Sequence, residues 1–182
     1  MPAFKIPESV LVVVYTQQLQ VLLIRRTGVR DLTVGVDNFC PASHGAGNSA
    51  GYWQSVTGSK DFDDEPLHTA AAREVFEETG IDVGSTGCVL HDWALNNHYE
   101  IWPQWSHRYA PGVTRNSEHV FGLCVPEATR VVLSPTEHDR SQWLPWQEAA
   151  HMCFSPSNAE ACRLLPGKLG KRFGNVTKPV RA

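Results

Sequence analysis

The chain has 182 residues, a formal net charge of -3 and 42% hydrophobic residues, which suits one domain with its own core and excludes a disordered chain. Its longest apolar run, residues 10–15, is too short to span a bilayer, so we expect no membrane segment. The weak negative charge gives no field that would attract nucleic acid, so we expect no nucleic-acid partner.

The first part of the chain is predicted to form strands on either side of one long loop. SVLVVVY (9–15) is a β-branched run typical of a buried strand, and VLLIRR (21–26) is its predicted partner. WQSVTG (53–58) is the next predicted strand. The 27–52 segment carries five glycines and is predicted to be a loop, with a short extended piece at 32–36 and a mobile part at 45–51.

A helix and a second group of strands follow. The alanine content of LHTAAAREVFEET (67–79) and the spacing of its apolar residues predict a helix. Pro66 suits the first turn of this helix, and Gly80 suits its end. Predicted strands then cover 88–95, 98–107, 118–125, 130–133 and 142–146, and weak helices cover 147–152 and 158–165. Residues 1–165 are therefore predicted to be a single α/β sandwich around a mixed sheet, and 166–182 a basic, flexible tail.

Three glutamates crowd the end of the predicted helix. At about 100° per residue they share one arc, separate from an apolar face; the arc holds Glu74, Glu77 and Glu78, and the face holds Ala72, Val75 and Phe76. Like charges four residues apart destabilise a helix, the last turn disfavours anions, and Arg73 offsets only part of this. A divalent cation such as Mg²⁺ or Ca²⁺ would remove the repulsion. Spacing alone leaves two interpretations open, a metal site and a solvated acidic face.

The helix and the loop before it resemble the Nudix box of the Nudix hydrolases. The resemblance rests on Gly58, Glu65, Arg73-Glu74-Val75, Glu77-Glu78 and Gly80-Ile81. It implies the Nudix fold, hydrolysis of a nucleoside diphosphate linked to another group, and Mg²⁺ or Mn²⁺ as cofactor. It also implies that the three glutamates hold the metal and that Arg73 orients them. The loop before Glu65 is one residue longer than usual, and an alternative register uses Asp64 as the acid.

Further segments resemble the branch of this family that acts on a pterin triphosphate. They are KIPESVLVVVY, VLLIRR, WQSVTGS, HRYAPGVTRNSEH and SPTEHDRSQWL. The resemblance implies removal of pyrophosphate from 7,8-dihydroneopterin triphosphate, a step of bacterial folate biosynthesis. It makes Glu137 a further metal ligand or base, so the implied catalytic residues are Glu77, Glu78, Glu137 and Arg73. The implied substrate-contacting residues are Lys5, Arg25, Thr57, Tyr99, Glu100, Ile101, Trp102 and Ser155.

Two arginines and several aromatic residues have two interpretations each. Arg108 and Arg115, in HRYAPGVTRN, would be phosphate ligands if they lie near the metal, and otherwise belong to a solvated loop. Nearby aromatic side chains would suit a flat heterocycle, or would belong to the core; they are Trp53, Tyr99, Trp102, Trp105 and Tyr109.

Two other functions share parts of this pattern. A broader nucleoside triphosphate pyrophosphatase, acting on deoxynucleotides, would use the same metal chemistry. A non-catalytic Nudix-like nucleotide-binding domain would be expected to lose the metal-ligand glutamates, which this chain keeps. The scattered cysteines and histidines show no zinc-ligand spacing, and we expect a reduced, cytoplasmic protein without a signal peptide. The sequence leaves the oligomeric state open.

Overall fold

The computed structural model describes residues 4–27 and 52–173. Within these ranges the chain forms seven strands, three α-helices and one 3₁₀ helix. The strands are β1 (Glu8–Thr16), β2 (Gln20–Arg26), β3 (Trp53–Gln54), β4 (Val56–Ser59), β5 (Val89–Glu100), β6 (Arg115–Val125) and β7 (His138–Pro145). The helices are α1 (Leu67–Thr79), α2 (Trp146–Met152) and α3 (Pro156–Phe173), with the 3₁₀ helix at Pro103–Arg108.

All seven strands belong to one mixed sheet with β1 near its centre. β1 pairs in parallel with β6 along its whole length, and β5 lies antiparallel on the far side of β6. On its other side β1 meets β2 only at the hairpin, where Tyr15 lies opposite Val21. Beyond it the two strands diverge, so β4 pairs with β1 while β3 and β7 pair with β2. This divergence places Thr57 and Gly58 of β4 inside the sheet.

Helices cover both faces of the sheet, as predicted for an α/β sandwich. Side chains alternate along β1: Leu11 and Val13 pack in the cluster that contains the α2 and α3 residues, and Val10 and Val12 pack in the cluster that contains α1. A strand buried on both faces favours a continuous apolar run, which explains SVLVVVY. None of the helices in the described ranges has both the length and the hydropathy of a bilayer-crossing segment.

Two of the predicted strands are wrong. The predicted 98–107 strand ends at Glu100, and a 3₁₀ helix follows with Pro103 in its first turn, where a missing N–H removes no helical hydrogen bond. Residues 130–133 form no strand; Val132 donates its N–H to the carbonyl of Thr79 at the end of α1. The two strands predicted over 88–107 are also one strand, β5, with an irregularity between Asp92 and Leu95.

The last helix is longer than the sequence predicts. α3 continues past Leu165 to Phe173, because the apolar period continues: Leu165 is buried in the core, and Leu169 packs against it one turn later. Lys168 also donates from Nζ to the carbonyl of Trp93 at 2.7 Å. The rest of the predicted tail, 174–182, and the predicted loop features at 32–36 and 45–51 lie outside the described residues.

Candidate functional site

Helix α1 presents one buried face to the sheet, and that face ends in a carboxylate. Its buried residues are Ala70, Ala71, Val75, Glu78 and Thr79. The predicted apolar face is wrong at one position, since Phe76 is 58% exposed. Gly80 ends the helix in the left-handed conformation, with φ of 67°, and donates its N–H to the carbonyl of Phe76. The glutamate at position 78 is thereby held at the buried end of the helix rather than in solvent.

Glu74 reaches the sheet at Gly58, where any added side chain would have to displace its carboxylate. A Cβ added to Gly58 would lie 1.7 Å from Cδ of Glu74, so the carboxylate rests directly against the β4 backbone. Burial raises the pKa of Glu74 to about 7, and Arg73 opposes that shift. Nearby Glu78 and Glu77 raise the pKa further. A cation bound here would offset the repulsion between Glu74 and the negative charges of Glu77 and Glu78.

Glu78 is the more deeply buried of these glutamates, with 2% of its surface exposed. Its Oε2 accepts a hydrogen bond from the N–H of Thr57 at 3.3 Å. Its Oε1 lies 3.1 Å from Nε2 of His138, although the angle is not that of a hydrogen bond. Burial raises the pKa of Glu78, and His138 counteracts part of this. Ligand atoms of Glu78, Glu137 and His138 lie within 4.8 Å of one another, so β7 and the residue before it add two possible ligands to those of α1.

Arg73 joins the acidic side chains around the end of β4. Its guanidinium donates to Glu65, Glu74 and Glu77 at 2.9 to 3.2 Å and to the carbonyl of Ser59 at 2.9 Å. Glu65 is buried and also accepts from the N–H of Asp61, whereas Asp64 is exposed. Of the two acids that the two registers offer in this loop, Arg73 therefore binds Glu65, and the longer loop is accommodated without the alternative register that uses Asp64.

Cationic side chains lie beside the carboxylates. Half-buried Lys5 donates its N–H to the carbonyl of Arg108 at 2.8 Å. Burial lowers the pKa of Lys5, and the positive charges of Arg108 and Arg26 lower it further. The charges of Glu74 and Glu137 act in the opposite direction, so Lys5 interacts with both cations and carboxylates. An anion bound here would relieve the repulsion among the three cations.

A group of aromatic side chains, which we call the aromatic cluster, lies where β5 ends and α3 begins. It comprises Tyr52, Trp102, Trp105 and Phe154. The ring of Trp102 stacks on Trp105 with 5.6 Å between centroids and lies 6.0 Å from Phe154, which meets Tyr52 edge to face at 4.1 Å. Ser155, next to Phe154, accepts hydrogen bonds from Asn158 at the start of α3. These rings are half-buried or exposed, so they can meet a flat ligand.

The other predicted substrate-contacting residues have partners within the protein. Arg25 forms a bidentate pair with Asp139 and lies 6.0 Å from the ring of Trp53. Exposed Arg115 lies 3.9 Å from the carboxylate of Glu100. Ile101 donates its N–H to the carbonyl of Thr114. Tyr99 accepts a hydrogen bond from Asn116, and burial raises the pKa of Tyr99 to about 12.

The donor set fits a hard divalent cation. The candidate ligands are carboxylate oxygens from Glu74, Glu77, Glu78 and Glu137, with the imidazole of His138 beside them. Oxygen ligands of this kind suit Mg²⁺ and Mn²⁺, whereas the thiolates that Zn²⁺ favours do not belong to this group. Burial raises the pKa of both Glu74 and Glu78, and the neighbouring carboxylates raise that of Glu74 further, so a cation here would favour the charged forms.

Sequence reasoning missed four residues of these regions. His138 could have been noticed because it directly follows Glu137. Asn116 and Glu118 gave no such signal, because residues 115–119 of β6 are all polar and only their burial alternates. Phe154 gave no local signal, because its ring contacts join parts of the chain far apart in sequence.

Comparison with known proteins identifies the family. The family model for the NUDIX domain matches residues 5–165. Dihydroneopterin triphosphate diphosphatase of Escherichia coli (strain K12) is 38% identical over 159 residues, which cover 87% of this chain and 91% of that protein. The protein of the same name from Haemophilus influenzae is 34% identical over 165 residues, covering 90% of this chain and 89% of that protein.

Solved structures show the same fold. The E. coli dihydroneopterin triphosphate pyrophosphohydrolase superposes with a TM-score of 0.68 at 38% identity, covering 88% of this chain and 95% of that chain. A NUDIX hydrolase from Listeria monocytogenes superposes with a TM-score of 0.66 over 92% of this chain and 97% of its own, at 21% identity. The second likeness concerns the fold alone.

Proposed function

The chain belongs to the NUDIX family of hydrolases, and we propose that it converts 7,8-dihydroneopterin triphosphate to the monophosphate and pyrophosphate. The relatives that carry this activity in their names are 34–38% identical to the chain over most of its length. We further propose that the cofactor is Mg²⁺, with Mn²⁺ able to replace it. The reaction would serve folate biosynthesis in the cytoplasm.

One observation carries the proposal: carboxylates and cations share one site. Glu74, Glu78 and Glu137 would supply metal ligands, the charge of Lys5 interacts with those of Glu74 and Glu137, and Arg108 lies next to Lys5. A triphosphate is an anion that would use both kinds of partner, a divalent cation to neutralise part of its phosphate charge and side-chain cations for the remaining charge. The aromatic cluster supplies a surface for the heterocycle at the end of the same sheet.

The roles of the residues follow from their contacts. Glu74, Glu77, Glu78 and Glu137 would hold the metal, which when bound neutralises phosphate charge and lowers the pKa of a coordinated water. Arg73 orients Glu74 and Glu77, and the N–H of Thr57 orients Glu78. Lys5 and Arg108 would bind phosphate oxygens. The proton of the attacking water goes to a carboxylate oxygen of Glu77, Glu78 or Glu137.

Substrate choice is tested by comparing kcat/KM among triphosphates, because the metal chemistry is common to all of them. We expect kcat/KM for 7,8-dihydroneopterin triphosphate to exceed that for each deoxynucleoside triphosphate by at least about 100-fold, the scale that several lost contacts produce. Equal or higher values for a deoxynucleotide would favour the broader pyrophosphatase. Binding without turnover of any triphosphate would favour the non-catalytic domain.

A further inference from the structure

The face of the sheet opposite α1 holds a buried carboxylate of its own. Glu118 lies on β6, is 5% exposed, and shares its face with Val120 and Cys124 of the core cluster that contains α2 and α3 residues. Its Oε2 accepts a hydrogen bond from Nδ2 of Asn97 at 3.2 Å. Burial raises the pKa of Glu118, and Ser157, Asn97 and Tyr99 counteract part of this. All three partners are neutral, and a buried carboxylate with only neutral partners is costly.

A second buried acceptor lies two residues earlier on the same face. Asn116 is 2% exposed, and its Nδ2 donates to Oγ of Ser9 at 2.7 Å and to the hydroxyl of Tyr99 at 2.9 Å. Among the described residues, its Oδ1 has no hydrogen-bond partner. Buried polar atoms without a partner are rare in folded proteins. Asn116 therefore offers one buried acceptor that a donor from outside the protein could satisfy.

Two serines link Glu118 to the part of the chain that holds Phe154 of the aromatic cluster. Ser157, which contacts Glu118, has its Oγ 3.3 Å from Oγ of Ser155, and Ser155 follows Phe154 in the chain. Asn97 and Ser157 also line a cavity of about 100 Å³ between β5 and α3. This space gives both side chains room to turn away from the carboxylate when a ligand brings its own donors.

We propose that Glu118 and Asn116 recognise the hydrogen-bond donor edge of the substrate's heterocycle, an inference that rests on the proposed function. A 2-amino-4-oxopteridine presents a ring N–H and an exocyclic amino group side by side. The two oxygens of one carboxylate match this pair, and Asn116 accepts from a further donor. Guanine presents the same pair, whereas adenine and hypoxanthine do not. Ligands that lack the pair leave buried acceptors unpaired and are rejected.

The test compares the wild type with Glu118→Gln, which keeps the shape of the side chain but removes its charge and one acceptor. kcat/KM is measured with Mg²⁺ for 7,8-dihydroneopterin triphosphate, dGTP, dITP and dATP. We expect a fall of about 10- to 100-fold for the first two, the scale of a lost hydrogen bond to a charged group, and less than about threefold for dITP and dATP. Exposed Glu127→Gln is the matched control and should change none of them.

An equal fall for all four substrates would overturn the proposal, because it would mean that Glu118 supports the whole site. An unchanged ratio between dGTP and dITP would also overturn it. If 7,8-dihydroneopterin triphosphate is not turned over, the proposed function fails, while the dGTP and dITP measurements still test recognition of the donor pair.

A second measurement uses the wild type alone and does not depend on how the variant folds. Fluorescence titration compares neopterin with the same pteridine carrying an oxo group in place of the 2-amino group. We expect neopterin to bind at least about 10-fold more tightly, as one unpaired buried acceptor would require. Equal binding of the two pteridines would overturn the proposal.

Discussion

The two faces of the sheet carry polar groups of different kinds. On the α1 face the groups are charged: Glu74 and Glu78 share their surroundings with Arg73 and Lys5. On the opposite face Glu118 has neutral partners and aromatic neighbours. Charges suit a reaction centre for metal and phosphate, and neutral donors and acceptors suit recognition of an uncharged ring. Reactivity and substrate choice should therefore separate by face.

The largest expected effect comes from Glu78→Gln on the α1 face. We expect kcat to fall by at least about 1,000-fold for every substrate, equivalent to about 4 kcal/mol of transition-state stabilisation. Metal-free stability should not fall, because the new amide oxygen can still accept the N–H of Thr57 and the substitution removes a charge that burial disfavours. Pyrophosphate release and thermal melts with and without Mg²⁺ check this beside Glu127→Gln. Near-normal turnover would remove Glu78 from the metal site.

Gly58→Ala should lower kcat through the same face of the sheet, but by less than Glu78→Gln. The added Cβ must displace the carboxylate of Glu74, the flexible end of a side chain, so the fold should persist. A displacement of this size at a reaction centre costs about 100-fold in kcat. Activity and the melting temperature are measured together. A large drop in melting temperature with normal activity in the remaining folded protein would contradict the placement of Glu74.

On the opposite face, Trp102→Ala should change binding rather than chemistry. The substitution removes the ring that stacks on Trp105 and lies beside Phe154. An aromatic contact of this type is worth about 1 kcal/mol, so KM for the pterin substrate should rise roughly 5- to 10-fold with kcat nearly unchanged. Trp102→Phe keeps a ring and should behave more like the wild type. A fall in kcat without a change in KM would break the separation between the faces.

The smallest expected effect is the pH dependence of the metal-free protein. The pKa of Glu74 is raised to about 7 from an ordinary 4.5, so the folded state holds this proton at a pH where the unfolded state has lost it. The stabilising contribution is therefore complete below about pH 4.5 and lost as pH rises to about 7. In the presence of a chelator, Glu74→Gln should lose less stability than the wild type between pH 5 and pH 8. Exposed Glu127→Gln is the control, and parallel curves for the wild type and Glu74→Gln would contradict the raised pKa of Glu74.

Local patterns predicted the elements that bury apolar residues at a regular period. The β-branched run of β1 and the alanine content of α1 predicted the positions of these two elements. The Nudix box predicted the family. The period of α3 could have been followed to Leu169, but Pro166 and the basic residues after it suggested a tail instead. Predictions failed at residues 98–107, where aromatic content favoured a strand and Pro103 began a 3₁₀ helix.

Contacts between distant parts of the chain could not be predicted from the sequence. The burial of Glu78 depends on β4 and β7, and a helical projection alone could not separate it from exposed Glu77. The pairing of Arg25 with Asp139 follows from the register of β2 with β7, which no local pattern specifies. The buried acceptors Asn116 and Glu118 required knowledge of which face of β6 meets α3.

The identity of the released phosphate tests the central claim most directly. The wild-type protein is incubated with 7,8-dihydroneopterin triphosphate and Mg²⁺, and the phosphate products are separated and quantified without an added pyrophosphatase. Our account predicts one pyrophosphate and one dihydroneopterin monophosphate for each substrate consumed, and no reaction when Mg²⁺ is removed by a chelator. Stepwise release of orthophosphate, or turnover that persists without a divalent cation, would contradict it.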